Sequence, residues 1–519
     1  MGESMIEICL SDKTYEIDFY QIVAAFYPGR AIKVYREDEL SSSLQKLLRE
    51  DNQSNGEQGE IAPTRDLMEG REVILYAAFY QERIILQMLL RNGQIWRETL
   101  DLNITKETKL HYKNGMKRLL YGMLSKATGS ELPWGILTGI RPTKLVYQML
   151  EKGKKEQEIK SYMRKEYLCS EQKITTSLQI ADREIQLLRD IDYKNGYSLY
   201  IGIPFCPSTC LYCSFTSYSI QKFSDYVERY LQALEKEILY GSTCFPDKKL
   251  TCVYFGGGTP TTLSASQLDR LLGLVRKHFD FTHVKEFCVE AGRPDSINKD
   301  KLLVLKKWGV NRISINPQSM QQKTLDLIGR RHSVEQIKEA FHLARETGHE
   351  NINMDIIIGL PGENTQDVKD TLEQIKELNP ESLTVHTLAI KRAARLNIER
   401  ENYSNLQPRD VSSMLQTTIQ FAKDNDYLSY YLYRQKNMAD NLENIGYAKY
   451  GKEGLYNILI MEEQQTILAL GAGAMTKFVS HSPYFIDRED NVKSVLDYIS
   501  RIDEMIERKR KFFEEHAGM

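Results

Sequence analysis

Between residues 198 and 388, short apolar runs alternate with stretches whose apolar positions recur every three to four residues. The runs at 199–205, 252–257, 286–291, 312–316, 353–359 and 383–388 predict strands. The stretches between them, 223–240, 264–279, 299–308, 334–347 and 365–378, predict amphipathic helices. Apolar strands separated by helices pair in parallel through right-handed crossovers. Six strands with five intervening helices build an open sheet or an incomplete barrel. In either architecture, ligands gather at the carboxyl ends of the strands.

The flanks have a different pattern. Residues 1–195 predict an accessory α+β module, with strands at 6–10 and 31–35 and a polar loop at 49–64. A hairpin follows at 73–90, turning at 81–83, then helices at 108–126, 156–167 and 176–191. This module holds no phosphate-binding loop and no metal-ligand spacing, so a structural or docking role is expected. The expected domain limits are 1–195, 196–392 and 393–519. The last carries the tyrosine-rich YLSYYLYRQ (427–435) and the turn LGAGA (470–474). It ends in a predicted helix over 491–515, with Val492, Val495, Leu496, Ile499, Ile502 and Ile506 along one side.

Composition narrows the class. The 519 residues carry 69 basic and 71 acidic side chains, a net charge of −2, so no global positive field recruits nucleic acid. No apolar run approaches the ~18 residues of a membrane span, and the first residues lack the basic start and apolar stretch of a signal peptide. Eight cysteines are too few for a secreted disulfide scaffold. A cytoplasmic protein is expected.

Three of those cysteines carry the strongest chemical signal. Cys206, Cys210 and Cys213 stand at spacing C-x3-C-x2-C just after the first predicted strand. They are too many for a CxxC redox pair and lack the nearby fourth ligand of a closed zinc site. Three thiolates can hold three irons of a [4Fe–4S] cube and leave the fourth iron open to a ligand. The competing reading is an incomplete zinc site or chance spacing. YFGGGTPT (254–261) ends the second strand, where glycines let backbone approach a small ligand. Glu290 and Asp355 lie inside apolar strands, where a carboxylate is costly unless it binds something. Gln318 follows another strand, and Arg330 and Arg331 precede a helix.

Together these residues resemble the radical SAM superfamily, in which S-adenosylmethionine caps the open iron. The likeness is closer still to the oxygen-independent coproporphyrinogen III oxidases (coproporphyrinogen dehydrogenases). It rests on LYIGIPFC, GGGTPT, Glu290, PQS, IGRRH, MDIIIGLPGE and LGAGA, and spans residues 198–478. The N-terminal LPWGILTGIRPTKL resembles the HemZ-like branch. The resemblance implies an α/β fold: an incomplete parallel (β/α)6 radical SAM barrel with an N-terminal α+β module and a C-terminal α/β extension. It implies that Cys206, Cys210 and Cys213 hold the cluster. Tyr200, Gly257 and Glu290 match contacts to the cluster-bound S-adenosylmethionine. Tyr212, Gly258, Thr259, Gln318, Arg330, Asp355 and Ala389 match further contacts to that cofactor, including a second molecule of it. Of the two arginines, Arg330 fits the L-G-R-x-H pattern better. Two positions depart from relatives: Phe215 replaces the oxidases' additional cysteine, and Tyr456 stands where haem chaperones carry the histidine of H-N-x-x-Y-W.

The implied reaction starts with an electron from a flavodoxin- or ferredoxin-type donor. Cleavage of S-adenosylmethionine then gives a 5′-deoxyadenosyl radical, which takes hydrogen from a propionate β-carbon of coproporphyrinogen III. Two such events give the vinyl groups of protoporphyrinogen IX, a step of haem biosynthesis. A haem-binding chaperone that retains the cluster, and a radical SAM enzyme acting on haem itself, are the alternative readings.

Overall fold

The computed structural model describes residues 5–39, 68–80, 82–101, 109–139, 141–213, 217–389, 394–398, 406, 410–435 and 442–516. The chain forms two compact units, residues 1–178 and 179–519.

The first unit is built on a five-stranded sheet, ordered β2-β1-β3-β4-β5. Its strands are β1 (Met5–Leu10), β2 (Ala31–Arg36), β3 (Arg71–Phe79), β4 (Arg83–Leu90) and β5 (Ile95–Asp101). β1 lies parallel to both β2 and β3, and β3–β4–β5 form an antiparallel meander. The expected hairpin is β3–β4. Helices Glu16–Phe26 and Lys109–Thr128 pack against each other in this unit. The expected loop at 49–64 lies outside the described residues.

The second unit contains an eleven-stranded sheet, ordered β14-β15-β13-β12-β11-β10-β9-β6-β16-β17-β18. Its first strand is β6 (Gly196–Ile203), and the short strands β7 (Phe205–Cys206) and β8 (Tyr218–Ser219) form a separate ladder. Then come β9 (Lys249–Gly257), β10 (Glu286–Gly292), β11 (Arg312–Ile315), β12 (Ile352–Ile358) and β13 (Ser382–Thr387). These five and β6 are the six strands read from the sequence, and they pair in parallel. The remaining strands are β14 (Leu428–Tyr433), β15 (Asn444–Ala448), β16 (Thr466–Leu470), β17 (Met475–His481) and β18 (Tyr484–Asp490). β16 runs parallel to β6, whereas β14–β15 and β17–β18 close the two flanks in antiparallel fashion.

The crossover helices begin where the chain supplies caps. Ser264 with Gln267, Ser333 with Gln336 and Asn364 with Asp367 are reciprocal capping boxes. Helices Ser224–Gly241, Ala265–His278, Lys299–Lys307, Val334–Glu346 and Thr365–Leu378 follow the predicted periods. A short helix, Gln322–Leu327, is an addition the pattern did not show.

The two faces of this sheet differ. Leu199, Val253, Phe255, Phe287, Val289 and Ile313 form one fully buried apolar face. The alternate positions Tyr200, Tyr254, Glu290, Ser314, Asn353, Asp355 and His386 make the other face polar. Helix Leu455–Glu462 packs on the polar face, and the Glu286 carboxylate accepts the amides of Leu455 (2.8 Å) and Tyr456 (3.1 Å).

The C-terminal helix departs from expectation. It breaks at Arg501 into Val495–Ser500 and Ile502–Glu515, and its buried positions fall at 495, 498, 502, 505, 509 and 512 rather than along the expected side. Tyr498, Met505 and Phe512 are buried alongside Val495 and Ile502, whereas Leu496 points outward at 46% exposure.

Candidate active site

The cysteine loop leaves β6 at the carboxyl end of the parallel sheet. Tyr218 N–H donates to Pro204 O (2.8 Å) and Ile220 N–H to Cys206 O (2.9 Å), so β7 and β8 pin the loop at both ends. Cys210 is buried, Cys206 and Cys213 are partly exposed, and none is in a disulfide. Among the described residues no three His, Cys, Asp or Glu side chains are disposed around one ion. A cube asks for a different arrangement, because each thiolate binds a separate iron and the sulfurs stand apart. Burial pushes the Cys206 thiol up to about 11, and the Thr259 hydroxyl, 3.6 Å from its sulfur, opposes that shift.

The glycine run serves the fold directly. Gly258 N–H donates to Ile203 O and Thr259 N–H to Phe205 O, both at 2.7 Å. A Cβ on Gly258 would stand 2.5 Å from Phe205 O, so a side chain there would displace the strand that enters the cysteine loop. Gly257 takes a φ of +106°, open to glycine. Gly256 leaves room for the Tyr254 ring and the Glu290 carboxylate, which a Cβ would meet at 2.8 and 3.2 Å.

Glu290 accepts a 2.6 Å hydrogen bond from Tyr254 Oη. Desolvation raises its pKa to about 7; the Tyr254 bond works against this and the negative Asp355 adds to it. Asp355 goes the other way. Burial pushes it up, but His386 and Asn353 hold it below the ordinary carboxylate value. Asn353 Nδ2 donates to Asp355 at 2.7 Å, and His386 Nε2 lies 3.9 Å from its other oxygen. Gln318 has a left-handed backbone (φ +68°) and bridges to β12, its N–H donating to Asp355 O at 2.9 Å.

Arg330 is buried beside Tyr212 and Cys210. Its Nη1 donates to Asn316 O, while its Nε and the side-chain oxygen of Asn316 are buried without a hydrogen-bond partner. Tyr200, Tyr254 and Tyr456 stack, with ring centroids 6.2 Å apart for the first pair and 4.4 Å for the second.

The structure thus brings together the cysteine loop with Gly258 and Thr259, Tyr200 with Glu290, and Tyr212 with Arg330 and Cys210. Gln318, just past β11, is bonded to the backbone of Asp355 in the middle of β12. Ala389 lies two residues past the end of β13, and Phe215 lies outside the described residues. Sequence reading missed Tyr254, Arg293, Asn353 and His386. Asn353 and Tyr254 had a signal: each shares a face, two residues away, with Asp355 and Gly256. A cavity of about 770 Å³ at the opposite ends of the strands, lined by Lys285, Asn311, Asn351 and Leu455 among others, shares no residue with this site.

Similarity to known proteins fits this geometry. The sequence profile of the Radical SAM superfamily matches residues 200–375. The "Oxygen-independent coproporphyrinogen-III oxidase-like protein HemZ" of Bacillus subtilis is 42% identical over 414 residues, 79% of this chain and 83% of that protein. The chain belongs to the HemZ-like family of radical SAM proteins. The "Heme chaperone HemW" of the same organism is 32% identical, covering 59% of this chain and 76% of its own. The "Oxygen-independent coproporphyrinogen III oxidase" of Escherichia coli is 33% identical, covering 44% and 50%.

Radical SAM proteins use a [4Fe–4S] cluster and S-adenosylmethionine, and both belong to this chain as a member. The residues present fit them. Three unbridged thiols share one pinned loop, and unpartnered Arg330 Nε and Asn316 Oδ1 lie at the neighbouring strand ends, where an adenosylmethionine's polar groups can satisfy them.

Proposed function

We propose that this chain oxidatively decarboxylates propionate side chains of coproporphyrinogen III to the vinyl groups of protoporphyrinogen IX. Each propionate loses one hydrogen atom to the bound cofactor, one carbon dioxide, and one electron, which a one-electron acceptor outside this chain takes up. The bound cluster and S-adenosylmethionine supply the hydrogen abstraction. Cys206, Cys210 and Cys213 hold the cluster. Tyr200, Gly257 and Glu290 contact the cofactor molecule on it, and Tyr212, Gly258, Thr259, Gln318, Arg330, Asp355 and Ala389 make the further cofactor contacts. The ionised Asp355 is the acceptor for a hydroxyl or ammonium donor. The polar strand ends, flanked by buried tyrosines, orient the tetrapyrrole and keep water away from it. A flavodoxin- or ferredoxin-type protein supplies the reducing electron, and the site of action is the cytoplasm.

The observation that carries this reading over a haem carrier is Tyr456. At the position of the chaperone histidine it is only 4% exposed, stacked on Tyr254 and Tyr200. The neighbouring imidazole, His386, is engaged by Asp355 and by Tyr433, whose hydroxyl lies 3.4 Å from Nδ1. Neither presents a free haem ligand. Anaerobic incubation with coproporphyrinogen III, S-adenosylmethionine and a reductant, followed by mass spectrometry, tests the proposal. Protoporphyrinogen with two 5′-deoxyadenosines per product is expected. Tight stoichiometric haem binding with uncoupled 5′-deoxyadenosine and no vinyl product would favour the chaperone.

A further inference from the structure

Arg293, in the loop after β10, is a buried cation aimed at the cysteine loop. It is 3% exposed. Its Nε and Nη2 donate to the two Asp295 oxygens at 2.9 and 2.7 Å, a bidentate pair. The remaining nitrogen, Nη1, donates to Ser208 Oγ (2.7 Å) and Ser208 O (3.2 Å), and reaches Cys210 Sγ at 3.9 Å. Ser208 in turn donates to Gly329 O at 3.2 Å, and Leu211 N–H to Ile328 O at 2.9 Å. The guanidinium therefore grips the segment between two cysteines and places a fixed positive charge beside the sulfur of one. His332 completes the surroundings: buried, with neither ring nitrogen hydrogen-bonded, and 3.8 Å from Asp295. Burial first, then Arg330, push its pKa down to about 3, so it adds no charge near neutrality.

Burying an arginine in this way is costly, even with Asp295, whose side chain stays 22% exposed, as its partner, and a pair facing only each other is often matched by apolar side chains. Here one third of the fork is spent on the cysteine loop. We propose that the Arg293–Asp295 pair sets the reduction potential of the cluster, with Arg293 stabilising the reduced state and Asp295 offsetting part of that stabilisation. Reduction adds one electron to the cluster, and a cation or N–H donor at a ligand sulfur favours the more negative state. The proposal rests on Cys210 being a cluster ligand, as proposed above, but not on the substrate.

Opposite signs make the test sharp. Arg293→Gln removes the cation and Asp295→Asn removes its counter-charge, while the second variant keeps the guanidinium on Ser208. EPR-monitored redox titration of the reconstituted full-length protein should show the Arg293→Gln potential more negative. A tenfold loss in the reduction equilibrium corresponds to 59 mV for one electron. Asp295→Asn should shift it to a more positive value. Unchanged potentials in fully loaded variants, or shifts of both in one direction, would overturn the proposal, the latter because loosening of the loop moves both alike. If Arg293→Gln fails to take up iron, the Asp295→Asn sign decides. Iron content of the wild type and of Cys210→Ala is measured alongside, and tests the ligand assignment separately.

Discussion

Glu290 and Asp355 sit on one face of the sheet with a single strand between them, yet their surroundings drive their protonation in opposite directions. The consequence for Glu290 is a pH dependence of known sign. A carboxyl whose folded pKa is about 7, above its ordinary 4.5, binds more protons folded than unfolded between those values. Its charge therefore costs stability as pH rises through that window, by about 3 kcal/mol at most. Glu363, raised in the same direction by burial and hydrogen-bonded to Ser319, contributes similarly, so a variant is needed to isolate the effect. Urea unfolding of cofactor-free Glu290→Gln and wild type should show the variant gaining relative stability from pH 5 to pH 8. A parallel pair of profiles would mean that Glu290 stays ionised in the fold. Asp355→Asn should keep fold and cluster but bind S-adenosylmethionine roughly 10- to 150-fold more weakly, the worth of a charged hydrogen bond. Equal affinity in equilibrium binding would remove Asp355 from the cofactor site. Both carboxylates were legible because each interrupts an apolar strand. Arg293 was not, since an arginine next to proline and aspartate has the composition of a surface turn, and only the fold brings Ser208 to it.

The elements were legible where one pattern governed them, as in the alternation of apolar strand and capped helix from β6 to β13. β16 escaped notice because it is short, runs into a glycine turn, and pairs in parallel with β6, more than 260 residues earlier. What seats β16 beside β6 is a buried network. Glu237 accepts from Gly471 N–H, Asn491 Nδ2 and Lys509 Nζ, each at 2.8 Å, and from Tyr498 Oη. Tyr230 Oη donates to Gly202 O at 2.7 Å and accepts the Ala472 amide at 3.1 Å. The LGAGA turn is thereby held against the strand that delivers the cysteine loop. A Cβ on Gly471 would lie 2.6 Å from Gly202 O, which is why the turn needs glycine there. Glu237 and Lys509 are both fully buried. Lys509→Met leaves the carboxylate unpaired and should cost about 3–5 kcal/mol. Adding Glu237→Gln should return a measurable part of that, and a double variant no more stable than the single one would argue that the charge pair is not the source.

For the whole molecule, the site and its supports lie on one side of a single boundary. Every proposed cofactor contact, the tyrosine stack, the Glu237 network and all eleven strands of the larger sheet belong to residues 179–519. The first unit has its own sheet and its own buried cluster of Cys9, Tyr76, Ala78 and Ile85. Among the described residues no helix is long and apolar enough to cross a membrane. Cofactor loading is therefore expected to need only the second unit. The natural fragment starts at Glu171, because helix Glu171–Arg189 spans the boundary and would lose its first turns if cut at 179. Fragment 171–519, reconstituted anaerobically, should take up about four irons and bind S-adenosylmethionine within about twofold of the full chain, since distant independent parts contribute separately. Iron analysis and equilibrium binding read the two quantities independently. A fragment that folds, by its far-ultraviolet spectrum, but loses iron or binds the cofactor far more weakly would show that the first unit completes the site. Full loading with loss of tetrapyrrole turnover alone would instead assign the first unit to the substrate.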